Sequence, residues 1–404
     1  MGALYVLRRR PAYRQSNVRL YIFITLAFIV CTTAMQVYLD TKLWRPRQVV
    51  LRTAASTLAA PSNYGISGGG NWVGLSDAEL GSRMDGLVDL GVSRLRIDLS
   101  WYAVQSIDNV HYKWDPYDKI VALANAHGIK ILFILNLTPP WARPADCTAS
   151  AHCHPADPNL FATFAAAAVT HYAPLGVHAW EVWNEENRQG AWQPMPDPAA
   201  YAALLKAAYA AIKAKDPSAV VLNGGLGSIS PGKPDIDPVL FLQRLYENGA
   251  GASFDALSDH PYSFPVLASY TASWNAWQRM IGEGLDGLRG VMLANGDTTK
   301  KVWITEFGAP TGGPGPAADV GAYNLTGHPT HVSEALQSAI MNDVLTQYRQ
   351  LSYAGPFYWY SYKDNGTSTD TVENFFGLVR ADGSKKPAYD TYKYLILGAA
   401  APSP

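Results

Sequence analysis

From residue 62 onward, short apolar runs of strand length alternate with longer segments whose apolar residues recur at helical spacing, and nothing reads as an antiparallel hairpin series. The first repeat shows the logic. Ser76-Asp77-Ala78-Glu79 has the form of a capping box, Leu80, Met84, Leu87 and Val88 follow at helical spacing, and Gly91 marks the stop. Val92 to Leu99 then reads as a strand, Asp115-Pro116 opens a helix that Gly128 closes, and Ile129 to Asn136 is a continuous apolar strand of the kind buried on both faces. Helices are predicted near Leu160 to Tyr172, Pro198 to Lys215, Val239 to Asn248, Trp274 to Ala294 and Glu334 to Leu351, with a closing helix from Pro387. Between them fall strands at Val177 to Trp183, Ala219 to Asn223, Phe254 to His260, Val302 to Glu306 and Phe357 to Tyr362. With a first strand at Tyr64 to Ser67 the count is eight, and no Gly-x-Gly-x-x-Gly turn follows the early strands. The pattern predicts α/β architecture, a single (β/α)8 TIM barrel over residues 62–397 with a short tail at 398–404, rather than an open doubly wound sheet.

The N-terminus belongs to a different class. Arg8, Arg9, Arg10, Arg14 and Arg19 precede an uncharged, largely apolar run from Leu20 to Leu39 that Asp40 closes. Residues 1–19 therefore read as a basic cytoplasmic flank, 20–39 as a transmembrane signal-anchor or export helix, and 40–61 as a tether. The run exceeds a usual signal-peptide core, and Thr32-Thr33-Ala34 is a mediocre cleavage pattern, which favours an uncleaved anchor over a secreted form. Either way the barrel is placed outside the cytoplasm, where disulfides persist. Cys147 and Cys153, six apart in a polar loop, are expected to form a local bridge. A metal site from Cys147, His152, Cys153 and His154 is the competing reading, but the spacing matches no familiar zinc pattern. No other metal constellation and no cofactor motif is evident. A net charge of −1, without a basic run beyond the first fifty residues, excludes a nucleic-acid partner, and no obligate protein partner is indicated.

In such a barrel the chemistry sits at the C-terminal ends of the strands. The fourth strand ends Trp183-Asn184-Glu185-Glu186-Asn187 and the seventh ends Trp303-Ile304-Thr305-Glu306-Phe307-Gly308, so each delivers a glutamate to the same mouth. A facing carboxylate pair is what glycosidic bond cleavage requires. A lone glutamate at a strand end is more often a solvated or ion-paired surface group. Aromatic supply is ample, with 12 Trp, 23 Tyr and 12 Phe for packing or for stacking on sugar rings.

Both strand ends resemble the signatures of glycoside hydrolase clan A, and residues from about 62 to 395 look most like family 39, the β-xylosidase and exopolysaccharide-hydrolase group, with family 5 as near neighbour. The resemblance implies a retaining glycosidase with Glu185 as acid/base and Glu306 as nucleophile, and with Asn184 holding a sugar 2-hydroxyl. Glu181, mid-strand, and Glu186, which does not directly follow the Asn, fit the acid/base position less well. Arg96 matches the clan's strand-two arginine that keeps the nucleophile ionised, although Asp98 is an alternative structural partner for it. His260 and Tyr262 match a His and Tyr near the nucleophile, and Trp141 and Trp359 match sugar platforms. Glu185 is expected to have a raised pKa while Glu306 is charged. The Gly- and Pro-rich segment from Pro310 to Thr330 is expected to shape the cleft, and the lack of an accessory β-sandwich weakens a xylosidase assignment. The rival readings are a transglycosylase, which transfers the same covalent intermediate to another sugar, and an inactive carbohydrate-binding barrel.

The basic flank and apolar run predict that the native protein fractionates with membranes and that protease added to intact cells or spheroplasts digests the barrel. Recovery in the cytosol alone would contradict this reading.

Overall fold

The computed structural model describes residues 63–69, 72–229, 232–320 and 328–398. The flank, the apolar run, the tether and the last residues of the tail lie outside them. Among the described residues no helix is long and apolar enough to cross a membrane. The strands are β1 (Tyr64–Gly69), β2 (Arg94–Ser100), β3 (Lys130–Asn136), β4 (Ala179–Val182), β5 (Val220–Asn223), β6 (Leu257–Asp259), β7 (Val302–Phe307) and β8 (Ala354–Tyr360). All pair in parallel, in the order β5-β4-β3-β2-β1-β8-β7-β6. The two ends of that order meet through bridges at Leu222–Ala256 and Leu226–Asp259, which closes the barrel.

Alternation along the strands sorts side chains into two layers. Leu95, Ile97, Phe133, Leu135, Trp180, Val182 and Ile304 point outward into the main core against the helices. Leu132, Leu222, Ala256, Trp303 and Tyr358 fill the barrel interior. The β7–β8 register breaks this alternation where it matters: Ile304 pairs with Phe357, yet Phe307 pairs with Trp359, so three steps on one strand answer two on the other. The extra residue falls at Thr305-Glu306, which lets both of them turn toward the interior while Ile304 and Phe307 stay in the outer core.

Besides a single turn at Trp101–Val104, the α-helices among the described residues are α1 (Asp77–Leu90), α2 (Asp115–Ala126), α3 (Pro158–Tyr172), α4 (Pro198–Lys215), α5 (Pro238–Glu247), α6 (Ala276–Ile281), α7 (Leu288–Ala294), α8 (Glu334–Tyr348) and α9 (Pro387–Leu397). The Ser76 capping box of α1 forms as its sequence implies. Helices α3, α4 and α5 each begin at an Asp-Pro pair, the aspartate accepting from the first-turn amides and the proline occupying a position whose amide needs no partner. The single helix expected over Trp274 to Ala294 is two. Gly282, Gly284 and Gly287 interrupt it, and the chain folds back so closely that a Cβ on Gly287 would collide with the Gly282 carbonyl.

Cys147 and Cys153 form a disulfide, which removes both thiolates from the metal-site reading. Of the Pro310 to Thr330 segment, Ala317–Ala318 pairs with His331–Val332, residues 321–327 lie outside the description, and none of its described residues lines the main cleft. Because the bridge spans so few residues, replacing both cysteines by serine should cost about 2 kcal/mol or less and leave the barrel folded. Loss of cooperative thermal unfolding in the double variant would show instead that the bridge holds the barrel together.

Candidate active site

A cleft of about 550 Å³ opens at the C-terminal ends of the strands. Every strand, or the turn directly after it, places a residue in its wall: Gly69, Asp98, Ile134, Glu185, Ser228, Tyr262, Glu306 and Tyr360, from β1 to β8 in turn. Asn184, Arg188, Ile229, Phe264, Val372, Glu373 and Phe376 complete it.

Beneath the cleft lies Arg96, fully buried inside the barrel. An isolated buried guanidinium would be prohibitively costly, so its partners define the local structure. Its Nε donates to Glu181 Oε2 at 2.7 Å and its Nη2 to Glu181 Oε1 at 2.8 Å, a bidentate pair across the barrel. Nη1 donates to Glu306 Oε1 at 2.6 Å and to Ser67 Oγ at 3.0 Å, and Nη2 also reaches Asn184 Oδ1 at 2.8 Å. Burial opposes the charge on Arg96, but Glu181 and Glu306 outweigh burial and raise its pKa. The structural counter-ion is therefore Glu181, not Asp98. Asp98 instead accepts from Asn136 Nδ2 at 2.5 Å, and burial pushes its pKa up.

Glu306 is gripped from its other side by Tyr262, whose hydroxyl donates to Oε2 at 2.8 Å. His260 lies between the two site glutamates: its Nδ1 is 3.3 Å from Glu185 Oε1 and 3.6 Å from Glu306 Oε2. Burial disfavours a charged ring, yet the charge of Glu306 and the hydrogen bond to Glu185 outweigh it and raise the His260 pKa. Glu185 reaches this position because the chain leaves β4 through left-handed residues, Trp183 at φ 75° and Glu185 at φ 50°, conformations that non-glycine residues adopt at a cost. Its amide donates to Gly225 O at 3.0 Å.

The segment after β5, Gly224-Gly225-Leu226-Gly227, forms the floor on this side. A Cβ on Gly224 would collide with Glu186, one on Gly225 with the His260 ring, and one on Gly227 would lie 2.6 Å from Glu185 Oε1. Each of these glycines makes room for a different site side chain.

Sequence reasoning brought Glu185, Glu306, Arg96, Asn184, His260 and Tyr262 to this mouth, and the structure brings all six together. It places the two proposed sugar platforms elsewhere. Trp359 is fully buried among the outer core residues, because alternation on β8 turns it outward and leaves Tyr360 facing the cleft. Trp141 donates its indole N–H to Gln105 O at 2.7 Å, packs edge-on against Trp101, and does not line the cleft. The expected rise of the Glu185 pKa is also not found. Burial pushes it up, but His260 and then Arg188, whose Nη1 donates to Glu185 Oε2 at 2.7 Å, prevail and lower it. One residue passed over in the sequence, Arg188, and one role not anticipated there, that of Glu181 as the partner of Arg96, now have positions. Arg188 flanks Glu185, and Glu181 carried a visible signal, since a charged residue inside an apolar strand needs a buried partner.

Glu186 points the opposite way from Glu185. It is fully buried, makes no close hydrogen bond, has the polar groups of Tyr201 and Asn223 nearby, and feels the charge of Glu181. Burial, reinforced by the charge of Glu181, pushes its pKa up to about 8.

No protein-family model matches the sequence, and a search of curated proteins returns no match. Solved structures do match the fold. A family 39 glycoside hydrolase from Bacteroides cellulosilyticus superposes with a TM-score of 0.62 at 23% identity over 83% of this chain and 63% of that one. The family 39 enzyme from Xanthomonas axonopodis gives 0.61 at 19% identity, over 85% and 69%. A family 5, subfamily 18 protein from Streptomyces cattleya gives 0.59 at 14% identity, over 86% and 82%. The chain thus spans less than two thirds of the Bacteroides protein. The likeness falls on the two families whose strand-end motifs this sequence resembles, and the fold is the (β/α)8 barrel that those enzymes share.

Glu186 makes stability depend on pH in a defined direction. Its folded pKa lies above the ordinary 4.5, so the stability that its protonated form contributes is complete below about pH 4.5 and is lost progressively as the pH rises toward 8. Glu186→Gln cannot lose that proton. The Tm difference between variant and wild type should therefore move in favour of the variant from pH 5 to pH 8, and a constant difference across that range would refute the assignment.

Proposed function

We propose that the protein is a retaining β-glycosidase that cleaves β-linked oligosaccharides or polysaccharides by double displacement. The observation that carries this reading is the arrangement of Glu185 and Glu306 on either side of a single His260 nitrogen, in surroundings that differ in charge and hydrogen bonding. Glu306, fixed by Arg96 on one oxygen and Tyr262 on the other, is aimed as a nucleophile at an anomeric carbon in the cleft. Glu185 protonates the leaving oxygen and, once the glycosyl ester has formed on Glu306, takes a proton from the water that hydrolyses it. Asn184 spends its Oδ1 on Arg96, which leaves its amide N–H groups to offer to a sugar 2-hydroxyl.

Arg188 sets a condition on this cycle. While it holds Glu185, the carboxyl is poised as a base, and a leaving group entering beside Glu185 must loosen that pair before the residue can serve as an acid. The families that the fold resembles, and the basic flank and apolar run of the sequence, support action on carbohydrate outside the cytoplasm. The two catalytic carboxyls are expected about 5 to 5.5 Å apart in the substrate complex, the spacing of retaining enzymes.

Two substitutions test the roles separately. Glu306→Gln should abolish turnover without unfolding the barrel, since Glu181 still answers the Arg96 charge. Glu185→Ala should spare substrates with good leaving groups, and added azide should restore its rate and yield a β-glycosyl azide. An α-configured azide, or full activity in Glu306→Gln, would overturn the assignment.

A further inference from the structure

The cleft does not end at Glu185. The acid/base group marks the side on which the leaving group sits, and Gly227 packs against that carboxyl. The next two residues, Ser228 and Ile229, form the rim of the cleft there. The same two residues line a second cavity of about 220 Å³, whose wall includes Asp259 and Arg279. At its edge stands Trp274, 52% exposed, beside Tyr270, 41% exposed, with 6.1 Å between the ring centroids. The two adjacent rings make a small exposed aromatic patch at the mouth of the cavity.

We propose that this cavity is a sugar subsite on the leaving-group side of the scissile bond, with Trp274 as its stacking platform, so that the enzyme acts on a β-linked chain rather than on a glycoside with a small leaving group. The proposal rests on the reading of Glu185 as acid/base. Its occupant follows from continuity and chemistry. A chain leaving the cleft past Glu185 crosses Ser228 and Ile229 directly into the cavity, which has room for a single sugar unit. The apolar face of a pyranose matches the indole and the largely aliphatic wall of Ile229, Pro238 and Val239, while its hydroxyls can meet the few polar groups there, Ser228, Asp259 and Arg279. A neutral sugar fits better than an acidic one, because Arg279 is already engaged by Asp237, with Nη2 to Oδ1 at 2.8 Å, and Asp259 adds a further carboxyl. Trp274 thereby takes the platform role that the buried Trp359 cannot fill.

The test compares wild type, Trp274→Ala and Trp274→Phe on 4-nitrophenyl β-glycosides and on β-1,4-linked gluco-, xylo- and manno-oligosaccharides from disaccharide to hexasaccharide. The readout is the ratio of kcat/KM on the longer chains to that on the aryl glycoside of the same sugar. Trp274→Ala should lower this ratio about tenfold or more, and Trp274→Phe, which keeps a ring, should restore most of it. An unchanged ratio in Trp274→Ala overturns the subsite while leaving the glycosidase reading intact. Wild-type protein that hydrolyses none of these compounds overturns the reading on which the subsite rests, and the subsite with it.

Discussion

A guanidinium inside a barrel of hydrophobic strands is tolerable only if its charge is fully answered, and Arg96 is answered by two carboxylates and an amide drawn from β4 with the turn after it and from β7. Breaking a buried pair by removing one member typically costs about 3 to 5 kcal/mol, because the remaining charge is left without a partner. That penalty ties β2, β4 and β7 into one electrostatic unit. Glu181 supplies the permanent counter-charge. Glu306 can then share the same guanidinium while keeping its second oxygen for Tyr262, and so it is held in one orientation at the cleft.

The backbone bends to satisfy that unit. Strict alternation on β7 would not allow Thr305 and Glu306 to face inward together, and the register shift against β8 supplies the extra residue that makes it possible. At β4 the left-handed residues do similar work, separating Glu185 from Glu186 so that consecutive glutamates enter opposite environments. One faces a cleft with His260 and Arg188. The other is packed against Gly224, near the like charge of Glu181. Chemically identical neighbours thus acquire opposite pKa shifts, and the three glycines after β5 provide the space for both, and for His260.

The repeat of strands and helices was legible because buried parallel strands are continuous apolar runs and their helices carry explicit caps, as at Ser76 and the Asp-Pro starts. The six polar residues of the mouth were legible because motif position at strand ends survives without coordinates. What failed depended on facts that a linear pattern does not hold. The side on which Trp359 falls is set by strand parity relative to the barrel axis. The break between α6 and α7 is set by glycines that permit a close backbone approach, and the pairing of Arg96 with Glu181 rather than Asp98 is set by which side chains face across the interior. Arg188 was passed over because its partner is Glu185, three residues earlier, a separation that reads as ordinary surface pairing.

The central claim is that Glu306, held by Arg96, forms a covalent glycosyl ester. Incubation of the wild-type protein with an activated 2-deoxy-2-fluoro β-glycoside, followed by peptide mapping by mass spectrometry, tests it directly. The account predicts stoichiometric inactivation with the fluorosugar ester on Glu306 and release of the label when an acceptor sugar is added. Label on Glu181, Glu185 or Glu186, or turnover to α-configured products with no label at all, would contradict it.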